Sequence, residues 1–224
     1  MNILAIDSIT PVLSVYAAGP AGKTTLTVTD GGQHAEKILE LVEKALVTAG
    51  FTARETELVV CAEGPGSFTG LRLAYAAAKA VQLASGCPLF PVASLPCYAL
   101  SFMNWPGAVI SVLDAKKNRF YAQFFRRANP VTGALDIGAA EATDFLDPEE
   151  RILVTGPDAA LFADELRAHA PALDITAIPS GVAGIADSMG FIAELQFPYY
   201  TQNVPDHAGP VYVRKSDAEL QSSR

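Results

Sequence analysis

The sequence predicts an α/β protein built from two copies of one lobe, each a mixed sheet flanked by helices. Three observations predict it. Residues 1–105 read βββαβαβα, an order that suits a mixed sheet with helices on both faces. An apolar run ending in Asp occurs at 2–7 (NILAID) and again at 108–114 (AVISVLD). A strand followed by Gly-Pro and a helix occurs at 57–65 and again at 151–157. Each feature alone is a common strand end, but their recurrence in the same order reads as duplication.

Residues 2–7 form a short apolar run ending in an acid, which predicts a buried strand. Residues 11–17 and 23–29 are rich in β-branched side chains and read as two more strands, turned by Gly19-Pro20 and Gly22. From Gln33 to Ala49 the apolar positions recur at three- and four-residue steps, which predicts an amphipathic helix stopped by Gly50. Residues 57–62 are strand-like, and Leu71–Ser85 is an Ala-rich helix ending at Gly86. A strand over 88–92 and a helix over 95–103 complete the first lobe.

In the second half, strands are expected at 108–114, 119–126 and 151–155. A shortened helix is expected around 143–150, and another running to His169. The expected division is a first lobe over 1–105, a second over 106–214 and a polar tail over 215–224.

Composition narrows the function. The 224 residues are 50% hydrophobic and 18% charged, enough to build a sizeable core. There are 16 Lys and Arg against 24 Asp and Glu, a net charge of −8. No basic stretch is stronger than Arg126-Arg127, so a nucleic acid would have to be held by a partner's positive surface. Three cysteines without a CxxC pair fit reduced thiols in a cytoplasmic protein. The first residues carry no basic segment of the kind that opens a secretory leader. The uncharged stretch between Lys79 and Asp114 is broken by four prolines and offers no span of ~20 apolar residues, so no membrane segment is expected.

The strongest local motif is Glu63-Gly64-Pro65-Gly66-Ser67-Phe68-Thr69-Gly70-Leu71-Arg72, set between a strand and a helix. Two readings fit it. The helix start can receive an anion, or the glycines make a structural turn that binds nothing. Gly22-Lys23-Thr24 is not a P-loop, because Ala17 stands where that pattern needs Gly and the Lys-Thr pair runs into a strand. Ser67 is not a nucleophile elbow, because Pro65 replaces the required Gly and no His is placed for a triad. His34 has Ile38 four residues on, where a helical metal site needs its second ligand, so no metal is expected.

Asp7 and Asp114 end the first strands of the two lobes. They can hold Mg²⁺ through water or bond to nearby backbone amides. Ser8-Ile9-Thr10-Pro11 lacks the Gly of a phosphate-gripping hairpin, which counts against an ATP cleft. The helices at 33–49 and 71–85 carry more small and apolar surface than one sheet needs, which suits either ordinary packing or a partner.

Ile3-Leu4-Ala5-Ile6-Asp7-Ser8, His34-Ala35-Glu36, the 64–72 string, Lys79, Ser94-Leu95 and Asp114-Ala115 together resemble the TsaB (YeaZ) family. The resemblance is close over the first 120 positions and general beyond them. It implies an actin-like, Hsp70-type superfold with two RNase H-like lobes. It also implies a non-catalytic role in forming threonylcarbamoyladenosine (t6A) at adenosine 37 of tRNAs that read ANN codons.

The implied partners are the catalytic paralogue TsaD and the ATPase TsaE, with a homodimer when TsaD is absent. tRNA is met only through the complex, and ATP or ADP only at the surface shared with TsaD. TsaD-like proteins carry a metal-binding His-x-x-x-His on the first helix, and Ile38 breaks it here. The implied partner face lies on the first two helices, for which the expected residues are His34, Ile38, Leu39, Val42, Leu46, Leu71, Ala74, Ala78 and Val81. Phe68, Thr69 and Arg72 are expected to touch nucleotide or partner. The alternative activity is a small-molecule kinase of the same superfold, with Asp7 and Asp114 around Mg-ATP. A peptidase finds neither a triad nor a zinc site.

Overall fold

Strand β1 (Ile3–Asp7) is buried along its whole length, as an apolar run covered on both sheet faces must be. It opens the computed structural model, which describes residues 1–29, 33–199 and 209–213. β1 pairs antiparallel with β2 (Leu13–Gly19), which pairs antiparallel with β3 (Gly22–Val28). Helix α1 (His34–Ala49) follows, stopped by Gly50 in the left-handed region as expected. β4 (Leu58–Gly64) then lies parallel to β1, α2 (Phe68–Ser85) follows, and β5 (Leu89–Ala93) lies parallel to β4. The first sheet therefore runs β3-β2-β1-β4-β5.

Helix α3 (Ser94–Ala99) continues as a 3₁₀ turn to Phe102, so the helix expected over 95–103 is shorter and changes pitch. β6 (Ala108–Asp114), β7 (Phe120–Arg126), β8 (Asn129–Pro130) and β9 (Leu135–Ile137) open the second sheet. α4 (Ala139–Ala142) replaces the helix expected over 143–150. It starts early because the Glu141 carboxylate accepts the Gly138 amide at 2.8 Å. A 3₁₀ turn ends it at Phe145, and Leu146 is extended two residues before Pro148.

β10 (Ile152–Gly156), α5 (Ala159–His169) and β11 (Ile175–Pro179) follow, then α6 (Ala186–Gln196). The second sheet runs β11-β10-β6-β7-β8, with β9 also on β7. β6 is antiparallel to β7 and parallel to β10, as β1 is to β2 and β4. The two sheets thus share one topology, and the duplication expected from the sequence is present.

The chain forms two compact units. The first is Met1–Ser94 with the described residues of Ala183–Val211, and the second is built on Leu95–Val182. This differs from the division expected at residue 105. The segment after β5 joins the second unit, where Ala99 packs with Val109, Phe125 and Leu153. The segment after β11 joins the first, where α6 lies against β1, β2, β4 and β5. The expected tail over 215–224 lies outside the described residues.

In the first unit, Leu4, Ile6, Leu13, Val15 and Ala17 point to one sheet face and pack with α1 and α2. Asp7, Ser14 and Tyr16 alternate with them and meet α6 on the opposite face. Among the described residues, no helix is long and apolar enough to cross a membrane.

Candidate functional site

The Gly-rich segment joins β4 to α2, and its contacts tie it to the β1–β2 turn. α2 begins at Phe68, three residues before the expected start, because Ser67 caps it by accepting the Gly70 amide at 3.3 Å. The Ser67 amide donates to the Ile9 carbonyl at 2.9 Å. The Ser8 hydroxyl donates to the Gly70 carbonyl at 2.7 Å. The Ser94 hydroxyl donates to the Pro65 carbonyl at 2.5 Å. A Cβ on Gly70 would overlap the Ser8 carbonyl oxygen, so only glycine lets the β1–β2 turn come so close. The amides of Ser67, Gly70 and Leu71 are all spent within the protein. The start of α2 is thus a joint to the Ser8–Ile9 turn.

Asp7 is fully buried, and its carboxylate accepts the Ile9 amide at 3.1 Å, the Ser14 hydroxyl at 3.2 Å and the Ile185 amide at 2.9 Å. Burial pushes its carboxyl above the ordinary value, while these bonds pull the other way. Asp114 ends β6 and accepts both the Lys116 amide, at 2.7 Å, and the Lys116 ammonium, at 2.6 Å. Both carboxylates serve as strand-end acceptors for nearby groups. A water-held Mg²⁺ needs an accessible carboxylate, and Asp7 does not fit it.

The family's metal pair does not fit either. Nε2 of His34 lies 3.0 Å from the Pro11 carbonyl oxygen, and Ile38 is core. Among the described residues, no group of three or more His, Cys, Asp or Glu is placed to hold a metal ion. The Ser67 hydroxyl is occupied as a helix cap, which is not the setting of a nucleophile.

The expected partner face needs correction. Ile38, Val42, Leu46, Leu71, Ala74, Ala78 and Val81 are all buried within the first unit. All of these except Leu71 lie in one cluster with the sheet. The small side chains of α2 bring that helix down onto the sheet, which is ordinary packing. Of the expected residues on these two helices, Leu39 is 66% exposed and His34 is half-buried. Phe68, Thr69 and Arg72 are exposed at the start of α2, with the Arg72 guanidinium 3.9 Å from the Phe68 ring centroid.

The outer faces also carry residues that the sequence reading missed. Val47 is 71% exposed and Leu83 87%, and Ala76 and Ala80 lie exposed on α2. Leu39 and Val47 stand eight positions apart, two turns along a helix that already has a complete buried stripe. An apolar side chain outside such a stripe is the signal that picks out Leu39 and could have found Val47.

The family model for TsaD, tRNA N6-adenosine threonylcarbamoyltransferase, matches residues 30–178. The chain belongs to the TsaD family. Within the family it stands on the TsaB (YeaZ) side, as the motifs at 3–8 and 64–72 imply. The tRNA threonylcarbamoyladenosine biosynthesis protein TsaB of Bacillus subtilis is 24% identical over 234 residues, covering 99% of this chain and 97% of that one. TsaB of Escherichia coli is 29% identical over 134 residues, 58% of each chain. An uncharacterized protein of Mycobacterium tuberculosis is 34% identical over 171 residues, 72% of this chain and 76% of its own. The solved structure of YeaZ from Pseudomonas aeruginosa matches with a TM-score of 0.75 over 94% of this chain and 99% of that one, at 18% identity. That likeness shows the fold of this TsaD-family chain, which is the actin-like ATPase type.

Proposed function

We propose that the chain is a non-catalytic scaffold or activator subunit of t6A biosynthesis, binding TsaD in an assembly that TsaE joins. TsaD carries the transfer of the threonylcarbamoyl group to N6 of adenosine 37, and this chain holds TsaD in its working state. The partner face consists of the outward sides of α1 and α2, with Leu39, Val47 and Leu83 as its exposed apolar side chains. In the absence of TsaD a second copy covers the same face, so homodimer and heterodimer exclude one another. ATP or ADP, where present, sits at the surface shared with TsaD. tRNA is met through the complex, as suits a chain of net charge −8. The setting is the cytoplasm, where tRNA is modified.

One observation carries the non-catalytic reading. Asp7, the strand-end acid that the kinase reading needs for Mg-ATP, is fully buried and its carboxylate is engaged by Ile9, Ser14 and Ile185, which supports a chain that works without a nucleotide site of its own.

Reconstitution tests the proposal. Purified TsaD, TsaE, tRNA and a source of threonylcarbamoyl-adenylate should form t6A only when this chain is added. Equal t6A formation with and without the chain would contradict it.

A further inference from the structure

The turn that seats the start of α2 is tied, through Asp7, to α6 on the opposite face of the first sheet. Ser8 and Ile9 bond to Gly70 and Ser67 at the start of α2, at 2.7 and 2.9 Å. The preceding residue, Asp7, accepts the Ile9 amide through Oδ1, which fixes the turn from within. Its other oxygen, Oδ2, accepts the Ile185 amide at 2.9 Å and the Ser14 hydroxyl at 3.2 Å. Ser14 Oγ in turn accepts the Ala186 amide at 3.2 Å. Gly184 lies so close that a Cβ there would overlap Ser14 Oγ. Oδ1 and Oδ2 of one buried carboxylate therefore hold, respectively, the turn that seats α2 and the start of α6.

We propose that Asp7 is a positioning residue, coupling the docking of α6 to the pose of α2 and hence to the partner face. Loosening the start of α6 removes donors from Oδ2. The carboxylate can then rotate, its bond to the Ile9 amide weakens, and the turn relaxes its hold on Ser67 and Gly70. The coupling is reciprocal, so loosening α2 at Ser8 must loosen α6 by the same factor. The link to the partner rests on the function proposed above, but the coupling within the free chain does not.

Amide hydrogen exchange on the full-length chain tests it. Ser14→Ala removes one hydroxyl at the α6 end and touches nothing on α2. The expected result is roughly five- to tenfold faster exchange at Ser67 and Leu71, the scale of one lost hydrogen bond, with Val60 in β4 unchanged. Acceleration confined to Ile185 and Ala186 would overturn the proposal. If Ser14→Ala loosens the whole unit, Ser8→Ala supplies the reverse experiment. Ile185 and Ala186 should then exchange faster, and wild-type rates at both overturn the coupling. If the wild-type chain fails to bind TsaD, only the proposed function falls, because these rates are read without a partner.

Discussion

The Ile185 amide donates to the Asp7 carboxylate at 2.9 Å, joining residues 178 positions apart. The first unit is discontinuous in sequence, and that bond is one of the contacts that join its two segments. Its sheet is formed before residue 95, but the helix on one face arrives after residue 182. A chain truncated after Val182 leaves Asp7 without the Ile185 amide and uncovers the sheet face around Tyr16. We expect it to lose cooperative unfolding in urea, because the buried sheet face that α6 covers is left in water, a loss on the order of the whole stability. A truncated chain with wild-type cooperativity would refute this.

Gly70→Ala should destabilise the protein by about 3 kcal/mol, the upper end for overpacking, because its Cβ would meet the Ser8 carbonyl and backbone must move. Gly133→Ala is the matched control, with open space around the position and an expected effect within about 0.5 kcal/mol. Urea midpoints of the two variants check the difference.

Surface and core positions of the same helix should part company. Leu83→Glu changes a side chain that is 87% exposed, so it should leave the unfolding midpoint unchanged and weaken TsaD binding at least tenfold. Ala78→Glu places a charge in the core and should unfold the first unit before any partner is added. Circular dichroism followed by titration calorimetry separates the two outcomes.

The thiols should be inert. Cys61, Cys87 and Cys97 are buried, and burial pushes the thiols of Cys61 and Cys87 up, away from the reactive thiolate. A chromogenic disulfide reagent at pH 8 should detect no fast thiol in the native chain and all three in guanidinium chloride. A fast-reacting native thiol would contradict this.

The sheets were legible because their strands are apolar runs with sharp ends. NILAID and AVISVLD end in Asp at the points where β1 and β6 stop. β8 and β9 were not legible, since strands of two and three residues have no period to read. Nor was α6, whose sequence ADSMGFIAELQ carries apolar residues such as Phe191 and Leu195 on its outer side, blurring the stripe. The residues expected on a partner face fell in the core for a related reason. Hydrophobic periodicity finds the buried stripe first, so Ile38, Val42 and Ala74 were chosen although they belong to the core. Asp7 is visible as a strand-end acid, but its use depends on Ile185, which no local pattern connects to it.

The most direct test of the central claim is light scattering after gel filtration, on this chain alone and mixed with TsaD from the same source. The account predicts a self-associated species that converts to a mixed complex with TsaD, and loss of both species in the Leu39→Glu, Leu83→Glu double variant while its fold is retained. Absence of a mixed complex at micromolar concentration, with ATP and TsaE present, would contradict it. So would a double variant that binds TsaD as the wild type does.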